Sequence, residues 1–440
     1  MNRRQFIRGC GHLAAASMAA PWIARASSAS RPPNILLIVS DDQGYEDLGC
    51  YGSPDVLSPR LDALAAEGVR CTDFYVTSPV CTPTRVGLLT GRHPQRCGMG
   101  DTILFQQTNY GIGMPRSEII LPRLLKDRGY VSGCFGKWHL GWAPGSRPVD
   151  RGFDDFFGCP PGAIDFYDHT YYGDPDLYRG NQPVRREGYI TDLITDETIA
   201  FIERNRRRPF FAFVPHVAPH YPANDDRVMQ APQEFLDMYP ASEYPDAMRR
   251  GYLAATTSMD AGIGRILDTL DHLDLAEDTL VIFMSDNGGE YIYGGSNRPL
   301  RGQKRDLEEG GIRVPCIARW PGHTAEGHTC AEPFMQIDFF AMALAAAGLP
   351  VPSDRIIDGR DPTPMLAGTA ASPHESLYFR YRHGGNQTQQ WAIRKGRYKR
   401  TRRGLFDLEA DIHEDVNLAA SLPQLDQSLQ SEYNAWVAQL

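Results

Sequence analysis

Basic residues are in deficit in this sequence: 45 Lys and Arg face 54 Asp and Glu among 440 residues, a formal charge of −9. The deficit argues against general nucleic-acid binding, whose electrostatic footprint is a basic surplus. A small anionic substrate stays possible, because a local cluster of cations can hold one. Long apolar runs are also missing from the body of the chain. The nearest, at 335–351, is interrupted by Asp338 and Pro350, so it reads as a buried helix and no stable membrane insertion is expected. Paired-cysteine spacing is missing too. The nine cysteines stand at 10, 50, 71, 81, 97, 134, 159, 316 and 330 without a CxxC. That speaks against a zinc site or a disulfide framework, and most read as buried free thiols. Internal repeats and low-complexity tracts are absent. What remains is an ordinary globular composition, 42% hydrophobic and 22% charged, in a chain long enough for one large domain and a smaller one.

The N-terminus reads as a targeting segment. Arg3 and Arg4 form a basic start, an Ala-rich stretch runs to Ala20, and Ala24-Arg25-Ala26 offers small residues where a signal peptidase reads. Paired arginines before a run too short for a bilayer predict that 1–26 is a bacterial twin-arginine signal peptide. The partner would be the twin-arginine translocase, and the destination periplasmic or secreted. Such substrates cross already folded, which suits a site completed in the cytoplasm.

Asn34 to Val39 is a continuous apolar run of strand length, the mark of a buried central strand. Counterparts lie at 130–135, 209–214 and 279–284, and helical patterns at 58–67, 192–205 and 252–273 alternate with them. This alternation predicts an α/β sandwich. Three of the strands run directly into polar clusters: Ser40-Asp41-Asp42, Lys137-Trp138-His139 and Ser285-Asp286-Asn287. Ligands of open α/β sheets bind at the carboxyl ends of strands, so the clusters point to one site. From about residue 366 the texture changes. Short strands at 376–381, 390–394 and 397–401 and a closing helix at 422–440 predict a small α+β domain with an antiparallel sheet. The expected division is thus 27–365 and 366–440. A glycosylation sequon at Asn386, Gln387 and Thr388 reads as a turn. Lys395, Arg397, Lys399, Arg400, Arg402 and Arg403 gather in the small domain. They form either a solvated strand and turn or a strip that attracts a polyanionic glycan.

Asp41, Asp42, Asp286 and Asn287 supply hard oxygen ligands, which suit calcium or magnesium and not zinc or copper. Adjacent carboxylates repel, and a shared cation is the simplest reason to bury them together. Either pair alone would equally serve as a helix cap or solvated turn. Cys81-Thr82-Pro83-Thr84-Arg85, continued through Arg92, is the most specific motif. Pro83 fits a first helical turn, which sets Cys81 at a positive helix N-terminus, where an acidified thiol is expected.

Residues 81–92 resemble the signature of the type I, formylglycine-dependent sulfatases of the alkaline phosphatase superfamily. Residues 129–141 are similar to that family's second signature, and 34–44, 218–222, 285–289, 297–304, 309–315 and 404–419 match further blocks in order. The resemblance implies an alkaline phosphatase-like sandwich with a central mixed, largely parallel sheet. It implies hydrolysis of sulfate monoesters, either carbohydrate or aryl sulfates, with a sulfated glycan as the favoured substrate. It also implies a maturase that oxidises Cys81 to formylglycine (3-oxoalanine). In the chemistry the resemblance implies, one hydroxyl of the aldehyde hydrate attacks sulfur and expels the alcohol, and deprotonation of the other, with collapse to the aldehyde, ejects sulfate. By the same resemblance Asp41, Asp42, Asp286, Asn287 and the modified Cys81 hold a divalent cation, calcium or else magnesium. Arg85 and Lys137 would hold the diol and the carboxylates, and His139 would take the proton during collapse. Lys304 and His220 would contact the ester, one of them protonating the leaving oxygen. One departure is Gly162, which stands where some members carry a serine; its role is left unassigned. Two rivals share parts of this pattern: a phosphonate monoester or phosphodiester hydrolase of the superfamily, and an inactive protein that binds sulfated glycans. Loops at 160–178 and 224–243 are expected to select the substrate.

Overall fold

The first apolar run forms β1 (Asn34–Ser40), buried at every position. In the computed structural model it lies in the middle of a ten-stranded sheet. The described residues are 31–104, 112–382 and 388–440, and Pro32–Leu440 is one compact unit. The targeting segment at 1–26 and the Asn386 and Gln387 of the sequon lie outside the described residues.

The other strands of this sheet are β2 (Val69–Cys71), β3 (Val131–Lys137), β4 (Asp155–Cys159), β5 (Tyr178–Arg179), β6 (Gln182–Pro183), β7 (Phe210–Pro215), β8 (Thr279–Ser285), β9 (Cys316–Arg319) and β10 (His328–Cys330). Their spatial order is β10-β2-β9-β8-β1-β7-β3-β4-β5-β6. The centre, β8-β1-β7-β3-β4, is parallel throughout. Antiparallel pairings appear only towards the edges, through β9 on one side and β5 and β6 on the other. The sheet is therefore mixed and largely parallel, as expected.

Side-chain alternation along β1 builds two layers. Leu36 and Ile38 join a core with α1 (Pro59–Glu67), α3 (Ile190–Asn205) and α4 (Ala247–His272). Ile35, Leu37 and Val39 join the opposite core with α2 (Cys81–Thr90) and α5 (Asp338–Ala346). A central strand covered on both faces has no polar side, which is why β1 reads as an unbroken apolar run. The helix expected at 335–351 is shorter. Phe334–Met335 pairs as a strand with Phe74–Tyr75, and Asp338 starts α5. Its carboxylate accepts the Met335 and Arg360 N–H groups at 2.8 Å each, so the charge that broke the apolar pattern satisfies the turn before the helix.

The C-terminal sheet has a fourth strand beyond the three expected. Its order is β11 (Ser376–Tyr381), β12 (Gln390–Lys395), β13 (Tyr398–Thr401) and β14 (Gly404–Asp407), all antiparallel. Leu377, Phe379, Tyr381 and Ala392 on one face belong to the large core. Ile393 and Leu405 on the other are covered by Leu429, Tyr433 and Trp436 of α6 (Pro423–Val437). The basic strip is largely neutralised. Lys395 pairs with Glu375 at 2.6 Å and Glu432 at 3.0 Å, Arg397 with Asp407 and Glu409, Arg400 with Asp426, and Arg403 with Glu308 at 3.4 Å. Lys399 is fully buried between Glu309 at 2.8 Å and Glu414 at 3.0 Å. Five of the six charges are thus paired with acidic residues, Arg402 alone having no ion pair among the described residues, which weakens the polyanion-attracting reading of this strip.

Candidate active site

Two adjacent parallel strands set the site. β1 and β8 pair in register, with Ser40 opposite Ser285, so Asp41-Asp42 and Asp286-Asn287 leave the sheet side by side. β3 ends on Lys137 two strands away, and α2 opens on Cys81. The side chains of Asp41, Asp42, Cys81 and Asp286 converge, with ligand-capable atoms all within 4.8 Å of one another and all four residues buried. Cys81 Sγ lies 3.4 Å from Asp41 Oδ1 and 3.8 Å from Asp42 Oδ1. Asn287 closes the group. Its amide donates to Asp42 Oδ1 at 2.7 Å, while its Oδ1 is buried without a hydrogen-bond partner.

Each carboxylate has a cation beside it. Arg85 donates two hydrogen bonds to Asp286 Oδ2, at 3.0 and 2.7 Å, and a third to the Lys137 carbonyl at 2.9 Å. Lys137 pairs with Asp41, and Lys304 pairs with Asp42. Burial and the neighbouring Asp286 push the Asp41 carboxyl up to about 7, against Lys137 and Arg85. For Asp42 burial acts in the same direction, but Lys304 and His220 outweigh it and hold the carboxyl well below its usual range. The three carboxylates are balanced by three cations, so a divalent ion held among them would leave the site net positive, as an anionic ester requires. The donor set fits such an ion: hard oxygens, and one orphaned carbonyl that a cation would satisfy.

One expectation is corrected. Cys81 does open α2, but burial together with Asp286 pushes its thiol well above the ordinary range. Desolvation beside three carboxylates overrides the helix N-terminus, and an unmodified thiol there stays protonated and a poor nucleophile.

His139 has a positive φ of 57° at the turn after β3. Its Nε2 donates to the Leu104 carbonyl at 2.7 Å, which leaves the buried Nδ1 an acceptor without a partner among the described residues. Burial, with Lys137 and Arg85 nearby, drives its pKa far down, so the ring is neutral. His220 donates Nδ1–H to the Tyr221 carbonyl at 2.7 Å and holds Nε2 3.5 Å from Asp42. Asp41, Asp42, Cys81, Arg85, Lys137, His139, His220, Asp286, Asn287 and Lys304 therefore meet in one place.

Cys81, His139, His220 and Lys304 open onto a cavity of about 350 Å³. Gly162 lines it as well, and a Cβ at that position would stand 2.7 Å from His139 Cε1. A side chain at this position would collide with the His139 ring unless the ring moved. The far wall was not foreseen residue by residue: Tyr171 and Tyr172 from one expected loop, Tyr221, and Arg227 from the other. Isolated tyrosines carry no periodic signal, so only the closure of the two loops brings them together. The stretch 231–243, grouped with these loops, does not line the cavity.

The sulfatase family model matches residues 33–349, and a second, described as N-sulphoglucosamine sulphohydrolase, C-terminal, matches 302–436. Human N-acetylgalactosamine-6-sulfatase is 38% identical over 377 residues, covering 81% of this chain and 70% of that protein. This chain belongs to the sulfatase family. Human arylsulfatase A is 34% identical over 426 residues, covering 90% of this sulfatase and 78% of its own length. The crystal structure of Ps i-CgsB in complex with k-i-k-neocarrahexaose superposes with a TM-score of 0.85 at 30% identity, over 92% of this chain and 93% of that one. The sulfatase is accordingly a sulfuric ester hydrolase of the alkaline phosphatase superfamily, and its reaction is sulfate ester hydrolysis.

Proposed function

We propose that this sulfatase removes sulfate from a carbohydrate sulfate ester, with residue 81 as formylglycine and a calcium ion held by Asp41, Asp42, residue 81, Asp286 and Asn287. The observation that carries the reading is the cage itself: three carboxylates and an orphaned amide oxygen gathered around Cys81. The carbohydrate substrate is supported by the relatives, one named for an N-acetylgalactosamine sulfate and one bound to an oligosaccharide. Formylglycine at position 81 would supply, as its hydrate, a nucleophile that displaces the alcohol from sulfur and a route for releasing the bound sulfate without a second attack. The cation supplies polarisation of a sulfate oxygen.

The chain's own groups do the rest. Arg85 fixes Asp286 and the end of β3, and Lys137 holds Asp41 in place. His139 offers a neutral Nδ1, a base for the proton released when sulfate leaves. Lys304 and His220 reach the cavity from the Asp42 side, and one of them protonates the departing alcohol. In this reading 27–365 is the catalytic domain and 366–440 a subdomain. A maturase acts in the cytoplasm before the twin-arginine translocase exports the folded protein from 1–26 to the periplasm.

Protein co-produced with a maturase is expected to yield a residue-81 peptide lighter by the difference between a thiol-bearing and an aldehyde side chain. It should cleave 4-nitrophenyl sulfate faster than 4-nitrophenyl phosphate, and lose activity in Cys81→Ala. Full activity from protein with only unmodified cysteine would overturn the formylglycine assignment. Faster phosphate cleavage would favour the phosphodiesterase-like rival.

A further inference from the structure

Arg227 differs from the other cations that line the cavity. Lys304 is paired with Asp42, and Arg305 with Glu290 at 2.6 Å. Arg227 makes no ion pair among the described residues, although Asp225 and Asp226 precede it in the chain. Its guanidinium is held instead over rings, 5.9 Å from the centre of Tyr172 and 5.3 Å from that of Tyr221, and it donates to the Tyr293 hydroxyl at 3.1 Å. Aromatic faces fix a cation's position without neutralising it, so the charge stays available to an anion.

The mount is built into the fold. Asp165 accepts from Asn224 Nδ2 and Gln230 Nε2 at 2.9 Å each, tying the loop that carries Arg227 to the loop that carries the tyrosines. Asn224 Oδ1 accepts the Arg227 N–H at 2.7 Å, and the Tyr172 N–H donates to the Ala223 carbonyl at 2.9 Å. Tyr221 links rim to centre: it stacks on His220 at 4.1 Å and on Tyr293 at 3.9 Å. Lys304 Nζ lies 6.0 Å from the centre of that same ring. Lys304 and Arg227 thus lie against the same Tyr221 ring, the first paired with Asp42 and the second without an ion pair among the described residues.

We infer that Arg227 is a specificity residue that binds a second anionic group, sulfate or carboxylate, on the saccharide whose ester is cleaved. This rests on the sulfatase reading above and adds the substrate class: a glycan that carries a second anion near the cleaved ester. The test compares the matured wild type with Arg227→Gln and Arg227→Lys on 4-nitrophenyl sulfate, a hexosamine 6-sulfate, a hexosamine 4,6-disulfate, and a disaccharide joining a sulfated hexosamine to a uronate. The wild type should prefer a dianionic saccharide over the monosulfate, and the preference should weaken with salt. In Arg227→Gln the dianion-to-monoanion ratio of kcat/KM should fall by roughly ten-fold or more, the loss expected for a hydrogen-bonded charge pair. Arg227→Lys should recover part of it. Loss confined to the disulfate arm names sulfate as the second group, and loss confined to the uronate arm names carboxylate. No wild-type preference, or an unchanged ratio in Arg227→Gln, overturns the inference while cleavage of 4-nitrophenyl sulfate still upholds the sulfatase reading. Arg227 is exposed, so a matched thermal melt of the Gln variant separates a binding defect from misfolding.

Discussion

Asn287 shows how one atom argues for a ligand. Its amide nitrogen is committed to Asp42 and to the Gly288 carbonyl at 3.0 Å, which turns its oxygen into a site from which water is excluded. A buried acceptor with no donor costs about 1–3 kcal/mol, and a cation removes that cost. Calcium should therefore raise the melting temperature of the wild type relative to a chelated sample. The expected gain is ~2.7 kcal/mol at a hundred-fold excess over Kd. Asn287→Ala should lose much of that shift while melting normally in chelator. A wild type whose melting curve ignores both calcium and magnesium would contradict the cation assignment, whatever its activity.

At the scale of elements, the segment behind the tyrosine wall carries a second unusual group. Asp176 follows the short hairpin of Thr170–Tyr171 and Asp174–Pro175, is fully buried, and has no partner for either carboxyl oxygen among the described residues. Burial, helped by Asp174, pushes its pKa up to about 8. The folded state thus keeps a proton that the unfolded chain gives up near the ordinary value of 3.8. The stability this group permits is complete below that value and is lost as pH rises through about 8. Asp176→Asn should accordingly melt higher than wild type at about pH 9, with the difference closing towards about pH 4. Thermal melts across that range are the measurement, and a constant difference would refute the titration.

Across the whole molecule, the C-terminal sheet is fastened by buried charge and not by apolar packing alone. Lys399 on β13 reaches Glu309, five residues beyond Lys304, and Arg394 on β12 bonds Asp73 and Tyr75. Although burial opposes it, Lys399, Arg313 and Arg394 hold the Glu309 carboxyl down at about 2. A lowered pKa means this support is present above the ordinary glutamate value and is lost as pH falls towards about 2. Lys399→Met should leave Glu414 without its cation and Glu309 with Arg313 alone as ion-pair partner, and destabilise the fold by ~3–5 kcal/mol. Adding Glu309→Gln should return part of that loss. Denaturant titration of both variants decides it, and a near-neutral Lys399→Met would assign the attachment to the apolar face instead.

Much of this protein was legible before any coordinates. The buried central strands showed as apolar runs because both faces of the sheet are covered. The polar clusters that end them showed because charge directly after such a run is rare without a use. Residues 41, 42, 81, 286 and 287 stood out from the local pattern, 85, 137, 139, 220 and 304 were named through the resemblance to the sulfatases, and the parallel register of β1 and β8 brings the two acidic pairs together. Short strands such as β2 and β14 stayed hidden, since three or four residues hold too little periodicity to read. Three matters were settled only by tertiary structure. The thiol of Cys81 is raised and not acidified, because its pKa depends on carboxylates distant in sequence. The C-terminal basic strip is spent on ion pairs, because its partners come from other segments. Among the described residues the cation at the cavity without an ion pair is Arg227, because only loop closure shows which charges lack a neighbour. Spacing along the chain reveals which groups can do chemistry; solvent exclusion and through-space charge, which spacing does not encode, decide the state each one is in.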